Sequence, residues 1–148
     1  MKFLFLLTSM IAVLSMAGCA SVPMASETDD AAGKSFPAPA VNTAGVYIFR
    51  DSFMGKGVKR SVSLDGTVLG ETANKVYFYK LVSPGPHTVS TESEFGNNSV
   101  SFQAAGGHNY FVRQYLKMGV VSAGANVEMV NEAEGRKEVL RCNRAQQQ

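Results

Sequence analysis

The sequence contains no tryptophan, two cysteines and two histidines among its 148 residues, and each scarcity excludes a class of chemistry. Without a Cys-x-x-Cys or a His-x-x-x-His spacing there is no zinc-type ligand set, so no metal is expected. His87 and His108 are the only imidazole bases an enzyme could use. Ser83, Ser90 and Asp65 lie near His87 in sequence, but no Gly-x-Ser-x-Gly elbow presents a nucleophile. Neither catalytic residues nor a cofactor are expected. Charge is also sparse: 18% of residues are charged and the net charge is +2. Lys56, Lys59 and Arg60 form the densest basic group, whereas a nucleic-acid binder wants a basic stripe interleaved with stacking aromatics. Nucleic acid is therefore not an expected partner. An uninterrupted apolar run of about 20 residues, long enough to span a bilayer, is lacking as well.

What is present at the N-terminus has the order of a secretory signal. Lys2 gives a positive start, and FLFLLTSMIAVLSMAG follows, apolar apart from Thr8, Ser9 and Ser15 and closing on small residues. Residues 1–18 are expected to be removed as a signal peptide. Met16-Ala17-Gly18-Cys19 resembles the bacterial lipobox, with Met16 where that pattern prefers leucine. The resemblance implies cleavage between Gly18 and Cys19 and a diacylglycerol thioether on Cys19. With several acyl chains each adding about 0.8 kcal/mol per buried methylene, such an anchor holds without spanning the membrane. Ala20 stands where an aspartate commonly signals inner-membrane retention, which implies a periplasm-facing protein anchored in the outer membrane.

Residues 19–44 hold three of the five prolines and few large apolar side chains. They are expected to form a flexible tether reaching about 25–30 Å. From residue 45 to 142, β-branched and aromatic runs alternate with Gly, Pro, Asn and Asp. GVYIFR is apolar on both parities, as in a strand buried on two sides. VKRSVSLD alternates through Val58, Val62 and Leu64, with Arg60 on the inward parity at the rim. Asp65-Gly66 predicts a type I′ hairpin, because both central positions need positive φ. TVLGE, KVYFYKL, HTVSTES, SVSFQA, NYFVRQYL and NVEMV read as further strands, and this regular spacing favours a sandwich or barrel. Asn131, three residues before Glu134, predicts the cap of one short helix over about 132–141. Residues 143–148 are expected to fray. The fold class is thus all-β, a single antiparallel β-sandwich of about 7–8 strands with one short C-terminal helix.

AGVYIFR, VSLDGTVLGE, YKLVSPGPHTVS, AAGGHNYFVR and VNEAEGRKEVLRC resemble the bacterial lipoprotein family of domain of unknown function 2846, over about residues 44–142. The Asp-Gly hairpin and Pro-Gly turn are similar to PEGA-type surface modules. The resemblance implies a prealbumin-like or immunoglobulin-like sandwich and supplies no catalytic residues.

Two features remain open in the sequence. With Cys19 acylated, Cys142 is either buried and inert or free to pair with another molecule. The strand aromatics either fill the core or leave a face for a partner. Tyr77, Tyr79 and Tyr115, with Val120 and Val121 in the loop KMGVVSAGA, are the candidate partner surface. The expected role is a non-catalytic binding or assembly module of the cell envelope, held at the membrane through Cys19 and searching for an envelope protein on its tether. The competing reading is a small-ligand carrier or enzyme with a pocket at one end of the sandwich.

Overall fold

A computed structural model describes residues 21–52 and 54–148; the predicted signal peptide, Gly18 and Cys19 lie outside the described residues. The chain order is α1 (Glu27–Lys34), β1 (Ala44–Arg50), β2 (Arg60–Leu64), β3 (Thr67–Thr72), β4 (Val76–Val82) and β5 (Gly85–Ser93). Then come β6 (Gly96–Ala104), β7 (Asn109–Lys117), β8 (Gly124–Val130), α2 (Glu132–Val139) and the two-residue β9 (Asn143–Arg144). The strands form two sheets, β8-β7-β1-β4-β9 and β3-β2-β5-β6, facing each other as a sandwich.

All seven residues of β1 are buried, because both faces of this central strand are covered. Val46 and Ile48 point into the layer between the sheets with Val62, Leu64, Phe78, Val89, Val112 and Val127. Tyr47 and Phe49 point the other way, into a second cluster with Phe36, Tyr77, Phe111, Val139 and Cys142. The helices cover that second face. Three layers therefore explain a strand that is apolar on both parities.

The Asp65-Gly66 hairpin is as predicted, with φ of 50° and 79° at its two central residues. So is the cap of α2: the Asn131 side chain accepts from the Glu134 N–H at 2.9 Å. The expected antiparallel sheet is in fact mixed, since β1 pairs parallel with β7, Gly45 opposite Asn109, and β4 pairs parallel with β9. The whole of the second sheet and the long connections lie between β1 and β7, which leaves room for the crossover that a parallel pair requires.

Two expected segments are corrected. Residues 22–44 are packed rather than free. Val22 and Phe36 are each 8% exposed, and α1 is capped by Ser26, whose side chain accepts from Asp29. The hydroxyl of Tyr47 donates to the Gly33 carbonyl at 2.8 Å and that of Tyr77 to the Asp30 carbonyl at 3.1 Å. A polar segment with two apolar side chains can dock on a sheet face that other strands have already built. The tail is likewise tied down. Ala145 donates to the Tyr77 carbonyl at 2.8 Å and Gln148 to the Leu69 carbonyl at 3.0 Å, so residues 143–148 bridge one sheet to the other. The N-terminal segment pairs with this tail: Met24 lies opposite Ala145, Ala25 donates to Arg144, and Gln146 donates to Pro23.

Candidate functional site

The ends of β5, β7 and β1 converge at one end of the sandwich, where the loops are held by buried or satisfied polar groups while apolar side chains face out. Ser93 pairs with Gly96, leaving Glu94 and Phe95 as a two-residue tip. The Glu94 carboxylate accepts the successive N–H groups of Val120 at 2.6 Å, Val121, and Ser122 at 3.2 Å. The N–H of Val121, then those of Val120 and Ser122, hold its carboxyl below the usual range. This backbone nest fixes the β7–β8 loop against the β5–β6 tip. The side chains of Phe95, Met118, Val120 and Val121 are then presented to solvent at 81%, 80%, 90% and 86% exposure. Between Phe95, Met118 and Val120 lies a shallow depression of about 360 Å³ that also touches Lys117 and Gly124.

The neighbouring loop is held from beneath by Arg50, which is fully buried. Its guanidinium donates to the carbonyls of Val58 at 2.7 Å and Gly55 at 2.5 Å. Burial, and secondarily the charge of Arg60, lower its pKa to about 10. Arg60 in turn donates to the Ala123 carbonyl. Under this end, Gln114 joins the sheets, bonded to Thr72 of β3 and donating to Thr91 of β5 at 2.6 Å. Arg50 Nε has no partner among the described residues, but the bonds from its two terminal nitrogens and from Gln114 tie this end of the sandwich to both sheets.

The five predicted surface residues do not form one patch. Val120 and Val121 are on the tip. Tyr77 is fully buried, because α1, which was not expected, covers its ring and accepts its hydroxyl. Tyr79 is half-buried, its ring 4.5 Å from that of Tyr47 and beneath the Arg144 guanidinium. Tyr115 is half-buried and accepts from Asn126 at 3.0 Å. Sequence reasoning missed Phe95. The available signal was a phenylalanine placed between Glu94 and Gly96, in a turn, where no strand face calls for it.

The other sequence candidates occupy structural positions. His87 Nδ1 lies 2.6 Å from Asp65 Oδ2 and Nε2 lies 2.7 Å from the Ser83 carbonyl. Both ring nitrogens therefore face acceptors, which suits the imidazolium. Burial works to lower the His87 pKa, but the bonds to Asp65 and Ser83 and the charge of Asp65 together raise it. The arrangement clamps the Asp65-Gly66 hairpin to the start of β5; the Ser83 contact is through the backbone, so no hydroxyl is activated. His108 is exposed. Cys142 is fully buried, its thiol 3.4 Å from the Glu138 carbonyl, and burial pushes its pKa up to about 12. Arg113 binds Glu128 at 2.7 Å, Glu138 at 2.6 Å and Glu134, tying α2 to β7 and β8. Among the described residues no group of three or more His, Cys, Asp or Glu is placed to hold a metal, and no helix is long and apolar enough to cross a membrane.

Fold and surface together define a small two-sheet β module with a rigid, apolar tip. Residues 40–126 match the family described as a protein of unknown function, DUF2846. A Haemophilus influenzae protein, called uncharacterized, is 45% identical over 145 residues, spanning 97% of this chain and 86% of that protein. The chain belongs to the DUF2846 family. No solved structure matches it.

Proposed function

We propose that this chain is a lipid-anchored, periplasm-facing module of the cell envelope, acylated on Cys19 and retained in the outer membrane, that docks another envelope protein through its apolar tip. The observation that carries this reading is the grouping of Phe95, Met118, Val120 and Val121. Four large apolar side chains, each at least 80% exposed, share one end of the molecule, whereas Val68 and Leu81 on the strands are only about half-exposed. Such a group, on loops joined by Glu94, has the composition of an interface core that is already ordered before binding. The lipobox-like Met16-Ala17-Gly18-Cys19 supports the anchor, and Ala20 supports the outer membrane.

The test is photo-crosslinking in intact cells from position 95 or 120, with a probe at the exposed position 68 on the opposite end as control, followed by mass spectrometry of the adducts and of the N-terminus. A single envelope protein captured from 95 and 120 but not from 68, on protein acylated at Cys19, is the expected result. Equal capture from all three positions refutes tip docking. An unmodified Cys19 in the mature chain refutes the anchor.

A further inference from the structure

The packing of residues 22–25 against the tail limits how far the domain can stand from its anchor. Val22 is buried in the main core, Pro23 accepts from Gln146 and Ala25 donates to Arg144. Only Ala20 and Ser21 lie between Cys19 and Val22. Three steps of chain reach at most about 11 Å, whatever their conformation. The free 25-residue tether expected from composition would reach about two to three times as far. The polar region of one leaflet is itself only about 5–7 Å deep. A body joined by so short a link meets the headgroups with the end toward which the link leaves.

The direction of the link is fixed by strand register. Met24 lies antiparallel to Ala145, and the tail runs parallel to β4, with Val76 opposite Asn143 and Tyr77 opposite Arg144. From Ala25 back to Ser21 the chain therefore advances the way β4 does, from Val76 toward Val82. Val82 pairs with Ala44 at the start of β1, whereas Val76 pairs with Arg50 beneath the tip loops. The link leaves toward the end opposite the apolar tip. Val22 and Pro23 are bordered by Gly70, Glu71 and residues 146–148; at the end toward which the link runs, Val68 and Leu81 are 47% and 51% exposed. Val68 and the exposed Lys80 line a depression of about 320 Å³ with Gln147 and Gln148, and Leu81 lines an adjoining one with Lys80, Met24 and Gln147. Two half-exposed aliphatic side chains beside an ammonium group suit a phospholipid surface, apolar at its acyl boundary and anionic at its phosphates.

We propose that the face formed by Val68, Lys80, Leu81 and Gln148 rests on the lipid headgroups, so that the domain stands on the membrane in one orientation with Phe95, Val120 and Val121 directed away from it. The proposal rests on the reading of Cys19 as the anchor.

The test uses full-length, lipidated protein purified from membranes and reconstituted in vesicles carrying a headgroup-attached quencher. A fluorophore is placed through Leu81→Cys or, separately, Val120→Cys, both exposed positions; a third form carries Lys80→Cys in case Leu81→Cys fails to fold. Severalfold stronger quenching at 81 or 80 than at 120, abolished by inserting a 20-residue Gly-Ser segment between Ala20 and Ser21, is the expected result. Equal quenching at both ends, or stronger quenching at 120, on protein whose Cys19 carries lipid by mass spectrometry, overturns the orientation and leaves the anchor standing. Absence of lipid on Cys19 overturns the anchor and this proposal with it.

Discussion

Replacing Gly135 by alanine is expected to destabilise the protein, against the ordinary helix preference. Gly135 lies in the middle of α2 and is buried. Alanine is favoured over glycine inside a helix by about 1 kcal/mol, so on local grounds Gly135→Ala stabilises. The tertiary contact opposes it. A Cβ at this position would overlap Cβ and Cγ of Phe111, and Phe111 is 1% exposed within the second cluster. Those atoms sit next to the β7 backbone and cannot swing aside as the end of a long side chain could. Overpacking of this kind costs about 1–3 kcal/mol, and here it falls toward the upper end because helix or strand must shift. The net loss is about 1–2 kcal/mol once the propensity gain is subtracted. Urea unfolding of the chain from Ser21 onward measures it, as a lower midpoint at unchanged slope. Ala133→Gly, at an exposed position of the same helix, calibrates the local term at a loss of about 1 kcal/mol. In a Phe111→Leu background the cost of Gly135→Ala shrinks, because the two sites share one contact. A gain in stability for Gly135→Ala in the otherwise unaltered chain would refute the close packing of α2 on β7.

The His87 clamp predicts a pH-dependent contribution to stability. Its pKa is raised in the folded state, so the stabilisation is complete below the unfolded value of about 6.5 and is lost as pH rises through the folded value. Burial acts to raise the carboxyl pKa of Asp65, but the bonds from His87 and Thr88 and the His87 charge together lower it. Its contribution is present above the ordinary carboxylate value of about 3.9 and is lost as pH falls through the lowered one. The difference in urea midpoint between the unaltered chain and His87→Gln is thus greatest between about pH 4 and 6.5 and narrows toward pH 9; a difference that does not change with pH counts against the clamp. Cys142, buried and with its pKa at about 12, is expected to react with an aromatic disulfide reagent in urea and not in the native state. Rapid native labelling would restore an intermolecular disulfide as a live alternative.

The parts of the fold that were legible in sequence are those with a local physical mark. The two apolar parities of β1, the positive-φ demand at Asp65-Gly66 and the Asn131 cap each follow from a few adjacent residues. The packed N-terminal segment left no such mark, because the prolines and small polar residues of 20–44 dominate its composition. Its docking depends on Val22 and Phe36 meeting surfaces made by strands far away in sequence. Missing α1 then led directly to misplacing Tyr77, since a strand residue on the outer parity is exposed only if nothing lies over it. The parallel pairing of β1 with β7 was hidden for the same reason: register across 60 residues is written in no single window. Of the candidate site, Val120 and Val121 were legible as an apolar loop, and Phe95 was not, because one aromatic in a turn creates no period.

The pairing of residues 22–25 with the tail also determines how the molecule bears a load. A pull on Ser21 directed toward the Val82 end acts along the strand axis, so the bonds from Ala25 to Arg144 and from Gln146 to Pro23 are sheared together rather than peeled one after another. Behind them the tail hands the force sideways to β4 through Ala145 and to β3 through Gln148. Tension entering at one residue is thus shared between both sheets before it reaches the loops at the far end.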